Sequence, residues 1–323
     1  RPKSVGQRSS VESGTSTTEL FFDDVKVPVE NVIGEVGKGF KVAMEVLNNG
    51  RLGLASGSLG LARTLVKLAI ERVQERRAFG RSIGEFGLIK DKIARMLAQM
   101  YALESMTYLT TGMIDQKVAD YSVESAICKV MGSEIVWEVV NETLQIAAGI
   151  GYMQDYPYER MLRDARINMI FEGTNEILRA FIALTGLQGP GKALVEVTKA
   201  LREPIKGFGL LSDFAVRRAK TVLGRERMSR AHPLLSHEVV IFEDMTGELA
   251  NYVDSTLRKH GRRIAEMQLA QRRVAEMAMD LYGLAACISR TTRAIERRGE
   301  EGARREIDLT RIFAGLAHKR MSA

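Results

Sequence analysis

The chain is poor in the residues that staple, break or span. Only two of its 323 residues are cysteine, Cys128 and Cys287. Two cannot form a disulfide framework, and no Cys-x-x-Cys pair or Cys/His cluster has the spacing of a structural metal site. A reducing compartment is the expected setting. Prolines number six, and none falls between Pro28 and Pro157. No apolar run approaches the ~20 residues of a membrane-spanning helix. The start, Arg1-Pro2-Lys3-Ser4, has neither an apolar leader nor an initiator Met, so a fragment or a processed chain is expected. What is abundant excludes other classes. Hydrophobic residues make up 45%, too many for a disordered chain. The 29 glycines follow no period, which excludes a collagen-like chain.

Net charge is +7, and it is unevenly placed. Residues 192–323 hold 25 Lys and Arg against 17 Asp and Glu, whereas residues 1–191 hold 22 against 23. Within the basic part, residues 192–230 carry ten basic and four acidic residues. Such a stretch reads as a solvated helix face, as a surface for anionic lipid, or as a nucleic-acid footprint.

The expected fold class is mainly α. Thr15 to Phe22 (TSTTELFF) predicts a strand, with partner strands expected upstream of this chain because a single strand cannot cover its own edges. Val25 to Val29 predicts an edge strand or an extended link. From Gly37 the pattern becomes helical. Phe86, Ile89, Ile93, Met96, Leu97, Met100 and Leu103 recur at steps of three and four, as do Ala126, Val130, Val136, Val140 and Leu144. Helices are predicted near 39–77, 86–116, 121–149 and 174–187, with Ser122 capping the third. They form an antiparallel bundle. Gln188-Gly189-Pro190-Gly191 predicts a break and a domain boundary. Further helices are predicted near 192–202, 205–224, 236–260, 262–289 and 303–320. The domains expected are 1–35, a remnant of a β-domain with its linker; 36–189, the bundle; and 190–323, a second helical domain.

The segment with the most chemistry is Ile170-Phe171-Glu172-Gly173-Thr174-Asn175-Glu176. Glu172 lies between apolar neighbours and a glycine, a setting that suits a general base. Gly173 allows close backbone approach to a ligand. Thr174 can cap the following helix and leave its amides facing an anion. The same residues also read as an ordinary helix start with a surface glutamate.

IFEGTNEILR resembles the active-site signature of the acyl-CoA dehydrogenase family. Three further segments match in the family's order: FFDDVKVPVENVIGEVGKGFKVAMEVLNNGR at 21–51, RRAFGRSIGEFGLIKDKIARM at 76–96, which begins with Arg76, and QIAAGIGYMQDYPYERMLRDARI at 145–167. The resemblance implies an FAD-dependent α,β-dehydrogenation of acyl-CoA thioesters. Glu172 matches the base that removes the α-proton while the β-hydride passes to flavin N5. Gly173, Asn48 and Arg51 match substrate-side positions. Thr174 and Glu176 match positions that contact FAD. Arg76 and Phe79 match the residues beside the flavin pyrophosphate, and Gln145 and Gly149 the adenine-side contacts made across a homodimer. The chain departs from the common pattern at Ala78, where many members have Thr, at Ala148, where a second Gly is common, and at Glu176, often Gln or Asp. Each position has a plainer reading beside this one: solvated helix arginine, helix surface, capping amide or core aromatic.

The length beyond residue 190, and QLAQRRVAEMAMDLYGLAACISRTTRAI at 268–295, resemble the very-long-chain branch of the family. That branch implies long or very long acyl-CoA substrates in fatty acid β-oxidation, an electron-transferring flavoprotein as acceptor, and a bacterial cytoplasmic or mitochondrial matrix location. Ile205, Phe208, Leu211, Ala215, Ala219, Val222 and Leu223 share one helical face, with Lys206, Asp213, Arg217 and Lys220 on a mainly basic opposite face. The stretch 205–230 is therefore expected either to lie on a membrane surface as a peripheral contact or to pack on the bundle. Two other functions stay open: an interaction protein akin to the family's complex I assembly relative, and a nucleic-acid-binding flavoprotein. The second lacks interleaved aromatics, since 192–230 holds only Phe208 and Phe214.

Overall fold

A computed structural model of the chain describes residues 4–7, 17–202 and 228–322. Among them, eight α-helices carry the fold: α1 (Gly39–Glu75), α2 (Gly87–Asp115), α3 (Ser122–Ala147), α4 (Tyr158–Arg166), α5 (Asn175–Arg202), α6 (Ser236–His260), α7 (Gln268–Gly302) and α8 (Arg304–Met321). The two short sheets are hairpins: β1 (Ser4–Gln7) with β2 (Thr17–Leu20), and β3 (Arg77–Ala78) with β4 (Arg81–Ser82), both antiparallel.

Apolar periodicity explains the long helices. On α1 the buried residues Leu52, Ala55, Leu59, Ala62, Val66, Ala69 and Val73 step by three or four along one face. That face lies against α3. Tyr121 donates to Asn49, Gly132 meets Ala55, and the Thr143 hydroxyl reaches the Leu65 carbonyl. Both residue numbers rise together, so α1 and α3 run parallel. A Cβ on Gly132 would stand 3.1 Å from the Ala55 Cα, so the crossing is as close as two backbones allow. Helix α2 runs the other way, with Lys92 paired to Glu142 and Gln99 donating to Glu138.

The C-terminal helices share one hydrophobic core with this bundle, joining Leu103 and Met106 to Leu284, Ile288 and Phe313. Buried hydroxyls stitch the contact. Tyr101 pairs with Thr291 at 2.8 Å, Thr291 with Thr310 at 2.7 Å, and Thr110 with Tyr282 at 2.8 Å. Each of these hydroxyls therefore has a partner, as an apolar contact requires.

Several local expectations are corrected. The strand at β2 pairs with residues of this chain, β1, and needs no upstream partner for that edge. Val25 to Val29 forms no strand, and a single 3₁₀ turn follows at Val29–Asn31. Ser122 is the first residue of α3 and not its cap; its N–H is taken by the Asp120 carboxylate at 2.9 Å. The expected break at 188–191 lies inside α5, with Pro190 within the helix. Gln188, Gly189 and Pro190 are exposed, so water can serve the one carbonyl that proline leaves without a donor. The lipid-facing helix expected at 205–224 lies outside the described residues. No helix among the described residues is long and apolar enough to cross a membrane.

The α1–α3 crossing generates a stability prediction. Gly132→Val, which places branched carbons against a backbone that cannot yield, destabilises the fold by about 1–3 kcal/mol. Thermal unfolding followed by circular dichroism measures it, and an unchanged midpoint would contradict the close crossing.

Candidate active site

Glu172 and Gly173 form the turn between the 3₁₀ segment Ile167–Met169 and α5. Both have left-handed backbone, with φ of 60° and 91°. For glycine this conformation is ordinary; for glutamate it is uncommon and must be held by its surroundings. The turn stands Glu172 across α1. A Cβ at Gly50 would lie 2.8 Å from both carboxylate oxygens, so any side chain there would push the carboxylate from this position. One of those oxygens, Oε2, is buried and makes no hydrogen bond among the described residues. A buried carboxylate oxygen with a free lone pair is placed to take a proton from a ligand rather than to hold the fold.

Two cations grip the turn from opposite helices. Arg51 on α1 is 6% exposed. Its Nε donates to the Glu172 carbonyl at 3.3 Å, its Nη1 to Asn48 Oδ1 at 3.0 Å, and its guanidinium lies 5.8 Å from the centre of the Phe181 ring. Burial lowers its pKa while Glu172 opposes that shift. Lys129 on α3 has no exposed surface. Its Nζ donates to the Gly173 carbonyl at 2.8 Å and to Asn175 Oδ1 at 2.9 Å. Asn175 in turn donates to Ser133 and to Glu134, and Glu134 receives both Nη groups of Arg179 at 2.8 Å. Arg179 also lies 3.4 Å from Glu276 on α7.

Thr174 caps α5, with the Ile177 N–H reaching its hydroxyl at 3.4 Å. The Glu176 carboxylate folds over the same helix start. It accepts from its own N–H and from Thr174, and this holds its pKa low. The two residues border a recess of about 130 Å³ together with Glu134, Arg166, Met169 and Asn175. A larger recess of about 830 Å³ lies between α3 and the C-terminal helices, lined by groups such as Glu138, Arg272 and Asp280. It does not include Glu172.

The remaining expected residues stand elsewhere. Arg76 closes α1, Phe79 sits in the β3–β4 turn, and Gln145 and Gly149 end α3. Because α1 and α3 are parallel, these four gather at one end of the bundle. That end is about 25 residues of α1 from Arg51, on the order of 38 Å at 1.5 Å per residue. Arg76, Gln145 and Gly149 are all exposed. Phe79 and Gly80 both have positive φ, 51° and 82°, the signature of a tight two-residue hairpin. The turn holds the Phe79 ring 94% exposed.

So the structure brings Asn48, Arg51, Glu172 and Gly173 together, places Thr174 and Glu176 beside them, and sets Arg76, Phe79, Gln145 and Gly149 apart. Sequence reasoning missed Gly50, Lys129, Glu134 and Asn175. One signal was available: Lys129 interrupts the apolar run Ala126-Ile127-Cys128 and Val130-Met131 on a stripe that also carries Ala126, Ser133 and Val136. Among the described residues no group of three or more His, Cys, Asp or Glu could hold a metal ion.

Comparison with known proteins agrees with this geometry. The family pattern "Acyl-CoA dehydrogenase, C-terminal domain" matches residues 37–187, and "ACAD9/ACADV, C-terminal domain" matches residues 233–323. The chain is 42% identical to the human very long-chain specific acyl-CoA dehydrogenase, mitochondrial, over 285 residues, covering 87% of this chain and 44% of that protein. It is 31% identical to a probable acyl-CoA dehydrogenase of Bacillus subtilis over 340 residues, covering 96% of this chain and 53% of that protein. The crystal structure of an acyl-CoA dehydrogenase complexed with FAD from Bacillus anthracis superimposes with a TM-score of 0.83 at 28% identity, covering 99% of this chain and 55% of that one. The chain thus spans about half the length of the curated relatives it matches. With both helical portions matched in order and the Glu172 turn in place, the chain belongs to the acyl-CoA dehydrogenase family.

Proposed function

We propose that this chain supplies the helical half of an FAD-dependent acyl-CoA dehydrogenase acting on long or very-long-chain thioesters, with Glu172 as the base. One observation carries the reading: a buried carboxylate oxygen, free of hydrogen bonds, held over a glycine by a left-handed turn.

The residues present fit the flavin. Arg76 is an exposed guanidinium that makes no hydrogen bond or ion pair among the described residues, which suits pyrophosphate oxygens. Phe79 offers a rigid open ring beside it, and Gln145 and Gly149 lie at the same end of the bundle. Thr174 and Glu176 would meet the cofactor at the other end, where the Glu176 carboxylate already takes the hydroxyl and N–H donors of the helix start. When bound, FAD supplies a two-electron acceptor for the β-hydride. The rest is the work of this chain. Glu172 takes the α-proton onto its free oxygen. No acceptor among the described residues takes the Glu172 N–H, which leaves it as a donor for the thioester oxygen, where negative charge grows as the proton leaves. Arg51, itself held by Asn48, fixes the carbonyl of the same residue and so holds the base in register with that donor.

The two sets of flavin-facing residues lie at different levels of the bundle, with Arg76 about 25 residues of α1 beyond Arg51. This supports a homodimer in which each flavin lies between the Thr174 end of one copy and the Arg76 end of the other. An electron-transferring flavoprotein is the expected acceptor; one solved structural neighbour, from Acidaminococcus fermentans, carries that name. A peripheral membrane contact through 205–230 also remains part of the proposal, and rests on its sequence alone.

Three outcomes follow. In the full-length protein, Glu172→Gln abolishes palmitoyl-CoA dehydrogenation and keeps FAD; near-normal turnover in an anaerobic flavin-bleaching assay would remove the base assignment. Gly50→Ala sets a methyl group against the carboxylate and lowers kcat by about 10- to 100-fold while the thermal midpoint holds, as steady-state kinetics and calorimetry would show. Arg76→Ala removes a charge-assisted contact and weakens FAD binding by about 10- to 100-fold; equilibrium dialysis giving unaltered affinity would exclude Arg76 from the flavin site.

A further inference from the structure

Lys129 is buried, and among the described residues no acidic partner is in hydrogen-bond contact with it. Its two acceptors, the Gly173 carbonyl and the Asn175 side chain, are neutral. The charged groups that face it are Arg51 on α1, Glu134 on its own helix, Glu172 in the turn and Glu176 on α5. Burial, with Arg51 adding repulsion, lowers its pKa to about 8. For stability alone the position is poorly used: an apolar side chain of similar volume generally serves a buried site as well or better than an unpaired charge.

The location of its contacts gives the lysine a purpose. Glu172 and Gly173 have successive carbonyls, and each is held by one cation, Arg51 on the first and Lys129 on the second. Between them lies the only peptide link of the turn in which both flanking residues have positive φ. Lys129 also holds Asn175, the first residue of α5, and Asn175 donates to Ser133 one turn along α3. The side of the turn that leads into α5 is thereby tied to one rigid helix.

We propose that Lys129 is a positioning residue for the base: by donating to the Gly173 carbonyl and to Asn175 from beneath the site, it holds the left-handed Glu172–Gly173 turn and so stands the Glu172 carboxylate over Gly50. This rests on the reading of Glu172 as the base. Lys129 touches neither substrate nor cofactor in this arrangement. Its loss costs orientation of the base and leaves binding intact.

The test uses the flavin-loaded full-length protein. Lys129→Met keeps the length and removes the charge and donors. Its expected result is a kcat lower by about 10- to 100-fold, with KM for palmitoyl-CoA and bound FAD unchanged and the thermal midpoint not lowered. Lys129→Arg, which keeps charge and donors, recovers part of the loss. A Lys129→Met protein with kcat within about twofold of the unaltered one, or one that loses FAD and kcat together, overturns the proposal. Should Lys129→Met fail to fold, Lys129→Gln takes its place, since its amide ends one bond short of the lysine nitrogen and does not reach both acceptors. A lower kcat at constant KM then supports the proposal, and an unchanged kcat overturns it. Glu172→Gln is measured in parallel. An active Glu172→Gln removes the base reading itself, whereas an inactive one beside a normal Lys129→Met removes only the role of Lys129.

Discussion

The close parallel contact of α1 with α3 is the constraint on which the rest depends. Gly132 lets the two backbones meet at Ala55, and that meeting fixes the axial register of both helices. One turn before the crossing on each helix lie the groups that matter: Gly50 and Arg51 on α1, Lys129 on α3. A slide of one helical residue, about 1.5 Å, would take Gly50 from under the Glu172 carboxylate. The Glu172–Gly173 turn therefore inherits its precision from helix packing, and interiors packed this tightly resist small displacements.

What surrounds the turn divides the labour between charge and strain. Backbone carbonyls are the objects gripped, and the carboxylate is left alone. Had Arg51 or Lys129 bonded the Glu172 side chain directly, the carboxylate would be paired and unable to take a proton as proposed. Instead the cations act on the main chain, and the unpartnered oxygen stays available. The grip extends outward. Asn175 and Glu134 carry it to Arg179, which faces Glu276 on α7. The C-terminal helices, which share the bundle's hydrophobic core, thus approach the site by a chain of polar contacts as well.

Much of this was legible in the sequence. The three- and four-residue steps of apolar side chains place α1, α2, α3 and α6 within a residue or two. The run Phe171-Glu172-Gly173-Thr174 marks the turn, because a glycine after a glutamate and before a capping threonine permits few other shapes. What stayed hidden depended on meetings between distant segments. Gly50 looks like any helix glycine until Glu172 arrives from 122 positions away. Lys129 looks like a helix lysine until its stripe is seen to face the core. Pro190 misled for a related reason. A proline marks a lost hydrogen bond, and whether a helix survives that loss depends on what serves the orphaned carbonyl, here exposed to solvent. Ser122 lost its expected role because the helix already includes it as its first residue, so that its own N–H is one of the orphan donors and Asp120 accepts it.

The distance along α1 between the Glu172 end and the Arg76 end has a genetic meaning. Under the proposed pairing, each cofactor draws one set of residues from each copy, so no copy owns a whole site. A chain defective at Glu172 and a chain defective at Arg76, joined in one mixed pair, would pool both defects in a single site and leave the other with every residue intact. Two inactive alleles would then restore activity to each other, up to half that of the normal pair, while neither would do so for a second allele of its own kind. The length of one helix thus determines which lesions complement and which do not.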